Sequence, residues 1–165
     1  MAEIVVNNLR EHVETVCDFM AKSARGSDLI YRFYLDHGRD YQSVPWETWE
    51  GAYDRGEPKQ CFANAENLAV FHDELTYVEG LATRLGAIPI PHAWCVDADG
   101  RVVEPTWLPD PECDSIPPVG QWEYLGVPFK TDWLVNWTLD QGYYGIFGNC
   151  FAPETLDEIV KGIAT

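Results

Sequence analysis

The spacing of hydrophobic positions changes along this chain, from helical at the start to strand-like in the middle and helical again towards the end. Leu9 to Ala24 (LREHVETVCDFMAKSA) carries Val13, Val16, Phe19 and Met20 at helical spacing behind Asn7-Asn8, which predicts an amphipathic helix closed near Gly26. Asp28 to Leu35 predicts a shorter second helix, and Gly38 to Pro58, with Trp46, Trp49 and Tyr53, a long irregular connection. Phe62 to His72 is free of Gly and Pro and rich in Ala, Leu, Asn and Glu, so a helix is expected to open at Cys61.

Alternation then takes over. Thr76 to Ala82 (TYVEGLA) starts rich in β-formers, and after the turn-prone Leu85-Gly86-Ala87, His92 to Val96 reads as a second strand. Asp97 to Gly100 is a turn, and Arg101 to Thr106 (RVVEPT) reads as a third strand. Leu108 to Pro118 carries four prolines and reads as a linker within the domain, and Trp122 to Phe129 as extended. Thr131-Asp132 is a candidate cap for a helix over Trp133 to Gln141 ended by Gly142, and Pro153 to Ile163 predicts a terminal helix with acids in its first turn. Together these elements predict an α+β class: an antiparallel sheet of four or five strands with helices packed around it, in one domain over residues 1–165.

Candidate chemistry lies between Lys59 and Trp107. A thiol at a helix start meets the positive end of the helix dipole, which favours the nucleophilic thiolate, and Cys61 occupies such a position. The imidazole to accompany it is His92. With Ala98, Asp99 and Gly100 as a three-residue hairpin loop, Asp97 pairs with Arg101, Trp94 lies opposite Glu104, and His92 and Glu104 become diagonal neighbours on one face. Asp97 then points to the other face, so the count selects Glu104 as partner of the ring N–H; a two-residue loop at Asp99-Gly100 would select Asp97 instead. Gln60 is a candidate oxyanion donor beside the Cys61 N–H, and Trp94, Trp46 and Trp49 are candidates to line a cleft. Each has a plainer alternative: Cys61 packed in the core, Glu104 or Gln60 solvated, the tryptophans structural.

A cysteine opening a helix, a His-Ala-Trp strand and then acid-Pro-Thr resembles the core of the transglutaminase-like branch of the papain-like cysteine enzymes. The resemblance covers Lys59 to Trp107 and implies a transglutaminase-like fold whose central helix begins at the nucleophile. It implies a triad in which Cys61 is the nucleophile, His92 the general base and acid, and Glu104 stands where the family usually has Asp before Pro-Thr. Glu is one methylene longer, so either the backbone is offset to suit it or the site is weakened. The activity implied is acyl transfer or amide hydrolysis, by a deamidase, amidase, protease or transglutaminase. The alternative is a catalytically inactive binding protein on the same scaffold.

Composition narrows the partners. Eleven basic against 27 acidic residues give a formal charge of -16, a field that repels nucleic acid and anionic membrane and leaves neutral or cationic peptide, protein or small amide substrates. No metal site is expected: His92 and Cys95 are three apart, which on a strand puts them on opposite faces, and no C-x-x-C pair occurs. No phosphate loop is present either, and the expected chemistry requires no cofactor. Five cysteines, an odd number without disulfide-like spacing, suit a reducing cytoplasm; neither a signal peptide nor an 18-residue apolar span is visible.

Overall fold

The fold is given by a computed structural model, which describes residues 9–22, 29–41, 43–84, 88–107, 122–147 and 155–165. Within these, five α-helices surround one five-stranded antiparallel sheet: α1 (Leu9–Lys22), α2 (Leu29–His37), β1 (Arg39–Tyr41), α3 (Cys61–Phe71), β2 (Thr76–Arg84), β3 (Ile90–Val96), β4 (Val102–Val103), β5 (Trp122–Phe129), α4 (Thr131–Gln141) and α5 (Leu156–Gly162). The expected α+β class is what the chain adopts. The strand order is β1-β5-β2-β3-β4.

Alternation sorts the strand side chains into two faces. Tyr77, Leu81, Ala93, Cys95, Val103, Leu125, Val127 and Phe129 pack with Ala65, Leu68 and Ala69 of α3, Phe33 and Tyr34 of α2 and Leu134 of α4. The opposite face gathers Val78, Ala82, Trp94, Val96, Val102 and Tyr124, with Tyr41, Trp107 and Trp122 against them. β2 and β5 sit at the centre, registered so that Gly80 faces His92 on one side and Gly126 on the other. A Cβ at Gly126 would come within 2.7 Å of the Trp94 indole, so this glycine is the space the tryptophan fills. Trp94 is wholly buried, a large apolar anchor for the second face.

Several boundaries differ from the sequence expectations, each for a local reason. Helix α3 is the exception and opens at Cys61 as expected: Gln60 is the cap residue, and its carbonyl accepts the first helical hydrogen bond from the Asn64 N–H at 2.8 Å. The expected Arg101 to Thr106 strand is cut to Val102–Val103, because the Thr106 and Trp107 N–H groups turn back to the Glu104 carboxylate and Pro105 has no N–H to offer a ladder. Thr131 is inside α4 rather than capping it; Lys130 is the cap residue, and the Asp132 carboxylate accepts the adjacent Trp133 N–H. The long connection from Gly38 holds the short edge strand β1 and a 3₁₀ turn at Trp46–Thr48 that periodicity does not reveal. The proline-rich Leu108 to Pro118 stretch and Pro153 lie outside the described residues.

The hairpin between β3 and β4 is the one that the loop count predicts. Cys95 pairs with Val103 and Val96 with Val102, the Asp97 N–H donates to the Arg101 carbonyl, and Gly100 adopts a positive φ of 75°. Because β4 stops at Val103, the outer edge of β3 beside His92 carries no ladder partner among the described residues.

Candidate active site

His92 and Glu104 are joined. The ring Nε2 lies 2.7 Å from Glu104 Oε2, and both side chains are 1% exposed. Glu104 is held from every side: its Oε1 accepts the Thr106 and Trp107 N–H groups at 2.9 and 3.1 Å, and its Oε2 also accepts the Tyr124 hydroxyl at 3.2 Å. The extra methylene of Glu relative to Asp is absorbed by the backbone, which leaves the ladder at this residue and folds back around the carboxylate.

Cys61 completes the group. Its thiol acts on the His92 ring closely enough to raise the proton affinity of the imidazole. With Nε2 occupied by Glu104, Nδ1 is the nitrogen left to face the thiol. Cys61 is half-buried at the first turn of α3, where backbone N–H groups lack intrahelical acceptors. Two residues earlier, Lys59 has φ 66°, the one positive value for a non-glycine among the described residues. A side chain held in that region costs about 1–3 kcal/mol, strain that packing elsewhere has to hold in place.

Electrostatics favour a charged imidazole. Burial alone would push His92 down, but the Glu104 charge, the hydrogen bonds to Cys61 and Glu104 and the charge of Cys61 push it up more strongly, from 6.5 to about 9. The ring is covered by Trp107, stacked at 3.5 Å between centroids and 6° between planes, and Trp107 is in turn stacked on Trp122 at 4.3 Å. A dry aromatic cover of this kind strengthens the ion pairing beneath it. Cys95 is the contrasting thiol: wholly buried, donating to the Ala65 carbonyl at 3.1 Å and pushed well above the usual thiol range by burial.

The remaining sequence candidates separate. Asp97 is committed to its own turn, accepting the Asp99 and Arg101 N–H groups and the Arg101 guanidinium, and does not reach His92. Gln60 is exposed at the cap position of α3 and makes no capping bond. Trp94 lies behind the imidazole, 6.2 Å between centroids, in the second face of the sheet rather than on a cleft wall. Trp49 is an anchor: its indole N–H donates to the Val102 carbonyl at 2.8 Å, and Arg101 sits over its ring. Trp46 begins the 3₁₀ turn. Sequence reasoning missed Tyr124 and Trp107. Tyr124 carries its signal only in the alternation of β5, which puts it on the His92 face; Trp107 immediately follows the acid-Pro-Thr run.

A groove of about 310 Å³, lined in part by Gly56, Glu57, Asn64, Phe71 and Pro105, runs beside α3, and none of the three coupled groups lines it. No cluster of three or more His, Cys, Asp or Glu among the described residues is placed to hold a metal, and none of the described helices is long and apolar enough to cross a membrane. Comparisons with family models, curated proteins and solved structures find no match to this chain.

Proposed function

We propose that this chain is a cysteine-dependent acyl-transfer or amide-hydrolysing enzyme with a transglutaminase-like arrangement of its catalytic groups. The observation that carries the reading is the buried His92–Glu104 hydrogen bond together with the half-buried Cys61 thiol, which acts on the same imidazole. The Cys61 sulfur attacks the carbonyl carbon of an amide, and the carbonyl oxygen takes the charge beside the Cys61 N–H and the Gln60 side chain. The tetrahedral centre collapses, the C–N bond breaks, and the His92 imidazolium gives its proton to the leaving amine. His92, now neutral, deprotonates a water or a second amine, which cleaves the thioester and returns the sulfur. Glu104 fixes the ring tautomer and stabilises the imidazolium throughout.

The formal charge of -16 favours neutral or cationic substrates, a peptide, a protein or a small amide. Three free thiols, Cys17, Cys61 and Cys95, among the described residues suit a reducing compartment such as the cytoplasm. The reading is tested by the pH dependence of Cys61 alkylation with iodoacetamide, read by peptide mass spectrometry in the parent and in His92→Ala. Rapid labelling at about pH 6 that disappears in His92→Ala is the expected result, since an isolated thiol ionises near pH 8.5. Labelling that needs pH above about 8 in both proteins overturns the enzyme reading and leaves a binding module on the same scaffold.

A further inference from the structure

Asn64 is a polar residue in the first turn of α3, three positions after Cys61, and it is buried. Asparagine is a weak helix former, so its presence there calls for a side-chain role. All of its side-chain hydrogen bonds leave the helix. Its Oδ1 accepts the Glu57 N–H at 3.1 Å, and its Nδ2 donates to the Glu57 carbonyl at 2.7 Å and to the Thr106 hydroxyl at 2.9 Å. The Glu57 N–H can only donate and the Glu57 carbonyl can only accept, so the amide orientation is fixed by its neighbours.

Thr106 is therefore bonded at both ends, its hydroxyl to Asn64 and its N–H to Glu104 Oε1. A parallel backbone link runs from the Gly56 N–H to the Pro105 carbonyl at 2.9 Å, and a Cβ at Gly56 would lie 2.1 Å from the Asn64 Cγ. One amide thus ties together the approach to the nucleophile, the nucleophile helix and the loop that wraps the acid. We infer that Asn64 is a positioning residue that sets the separation of Cys61 from the His92–Glu104 pair, acting through Thr106 on the carboxylate and through Glu57 on the segment leading to Cys61.

This inference rests on the Cys61–His92 couple, and its test separates the two. Alkylation of Cys61 by iodoacetamide is measured at about pH 6 and about pH 9.5 in the parent, His92→Ala, Asn64→Ala and Thr106→Val, with circular dichroism to check folding. Asn64→Ala and Thr106→Val are expected to label about 10- to 100-fold more slowly than the parent at the lower pH, because a misplacement of about 1 Å weakens the contact with the imidazolium. At the higher pH, where a thiol ionises without help, the folded variants should label at the parent rate. That pH-selective loss is one that a purely structural role does not produce. Should Asn64→Ala fail to fold, Thr106→Val, which keeps the Thr106 N–H and its shape and removes only the hydroxyl link, decides the matter alone. Parent-like profiles in the folded variants overturn the positioning role and leave the couple standing. Slow labelling of the parent at pH 6 overturns the couple itself, and the inference with it.

Discussion

Two buried glutamates, one on each face of the sheet, are held in nearly the same way. Glu104 accepts two consecutive backbone N–H groups, Thr106 and Trp107, and a tyrosine hydroxyl from Tyr124. Glu79 also accepts two consecutive backbone N–H groups, Ile146 at 2.7 Å and Phe147 at 2.9 Å, and a tyrosine hydroxyl, Tyr77 at 2.8 Å. The difference is a cation. Glu104 has His92 at 2.7 Å, whereas the groups that bond Glu79 are all neutral and the charge of Glu66 acts against its ionisation. Burial accordingly drives Glu79 up from 4.5, and although the Phe147, Ile146 and Tyr77 bonds pull it back, it comes to rest at about 7. The same cradle holds the 146–147 segment in one place and, in the other, seats the His92 imidazole.

Removing the cation should erase that difference at the greatest cost. His92→Ala leaves Glu104 buried without its partner, and a loss of about 3–5 kcal/mol is expected in urea denaturation at pH 7. The sign of the pH dependence follows from the raised value of His92. Its contribution is complete below 6.5 and is lost as pH rises through about 9, so the parent should lose more stability over that window than the variant.

Glu79→Gln is the milder break. Its NH₂ group cannot accept a backbone N–H, which costs about 1–3 kcal/mol at pH 8. Glu79 is also raised, so it favours folding most below 4.5 and less as pH climbs through about 7; that slope, at most about 1.4 kcal/mol per pH unit, should be present in the parent and absent in the variant. The smallest and sharpest test pairs Tyr124→Phe with Tyr77→Phe. Each removes one hydroxyl from one cradle at a cost of about 0.5–1.5 kcal/mol, measured by thermal unfolding. Only Tyr124→Phe should also change the pH profile of Cys61 alkylation.

The hairpin and the Glu104 assignment were legible in the sequence because they rest on a period of two and on a glycine at a left-handed turn position. The count from Asp97 and Arg101 carries the alternation to Glu104 and keeps Asp97 away from His92. The helix opening at Cys61 was legible for a similar reason, an uninterrupted run of helix formers after Pro58. What stayed hidden depends on long-range closure. Asn64 meets Thr106 across 42 residues, and Tyr124 meets Glu104 across 20, and neither spacing leaves a periodic trace. The cradle of Glu79 was hidden too, since a carboxylate in the middle of TYVEGLATR gives no sign that two backbone N–H groups from residues 146 and 147 will close on it.

The account stands on a charged His92 shared between Cys61 and Glu104, and nitrogen-15 NMR of the histidine rings over pH 5–10 reads that charge directly. His92 should remain imidazolium through neutral pH and titrate near 9, and its midpoint should fall in both Cys61→Ala and Glu104→Gln, since each removes an interaction that raises it. A His92 ring that is already neutral at pH 7 in the parent, with a midpoint below 6.5, would contradict the coupling and reduce the three residues to a buried polar cluster.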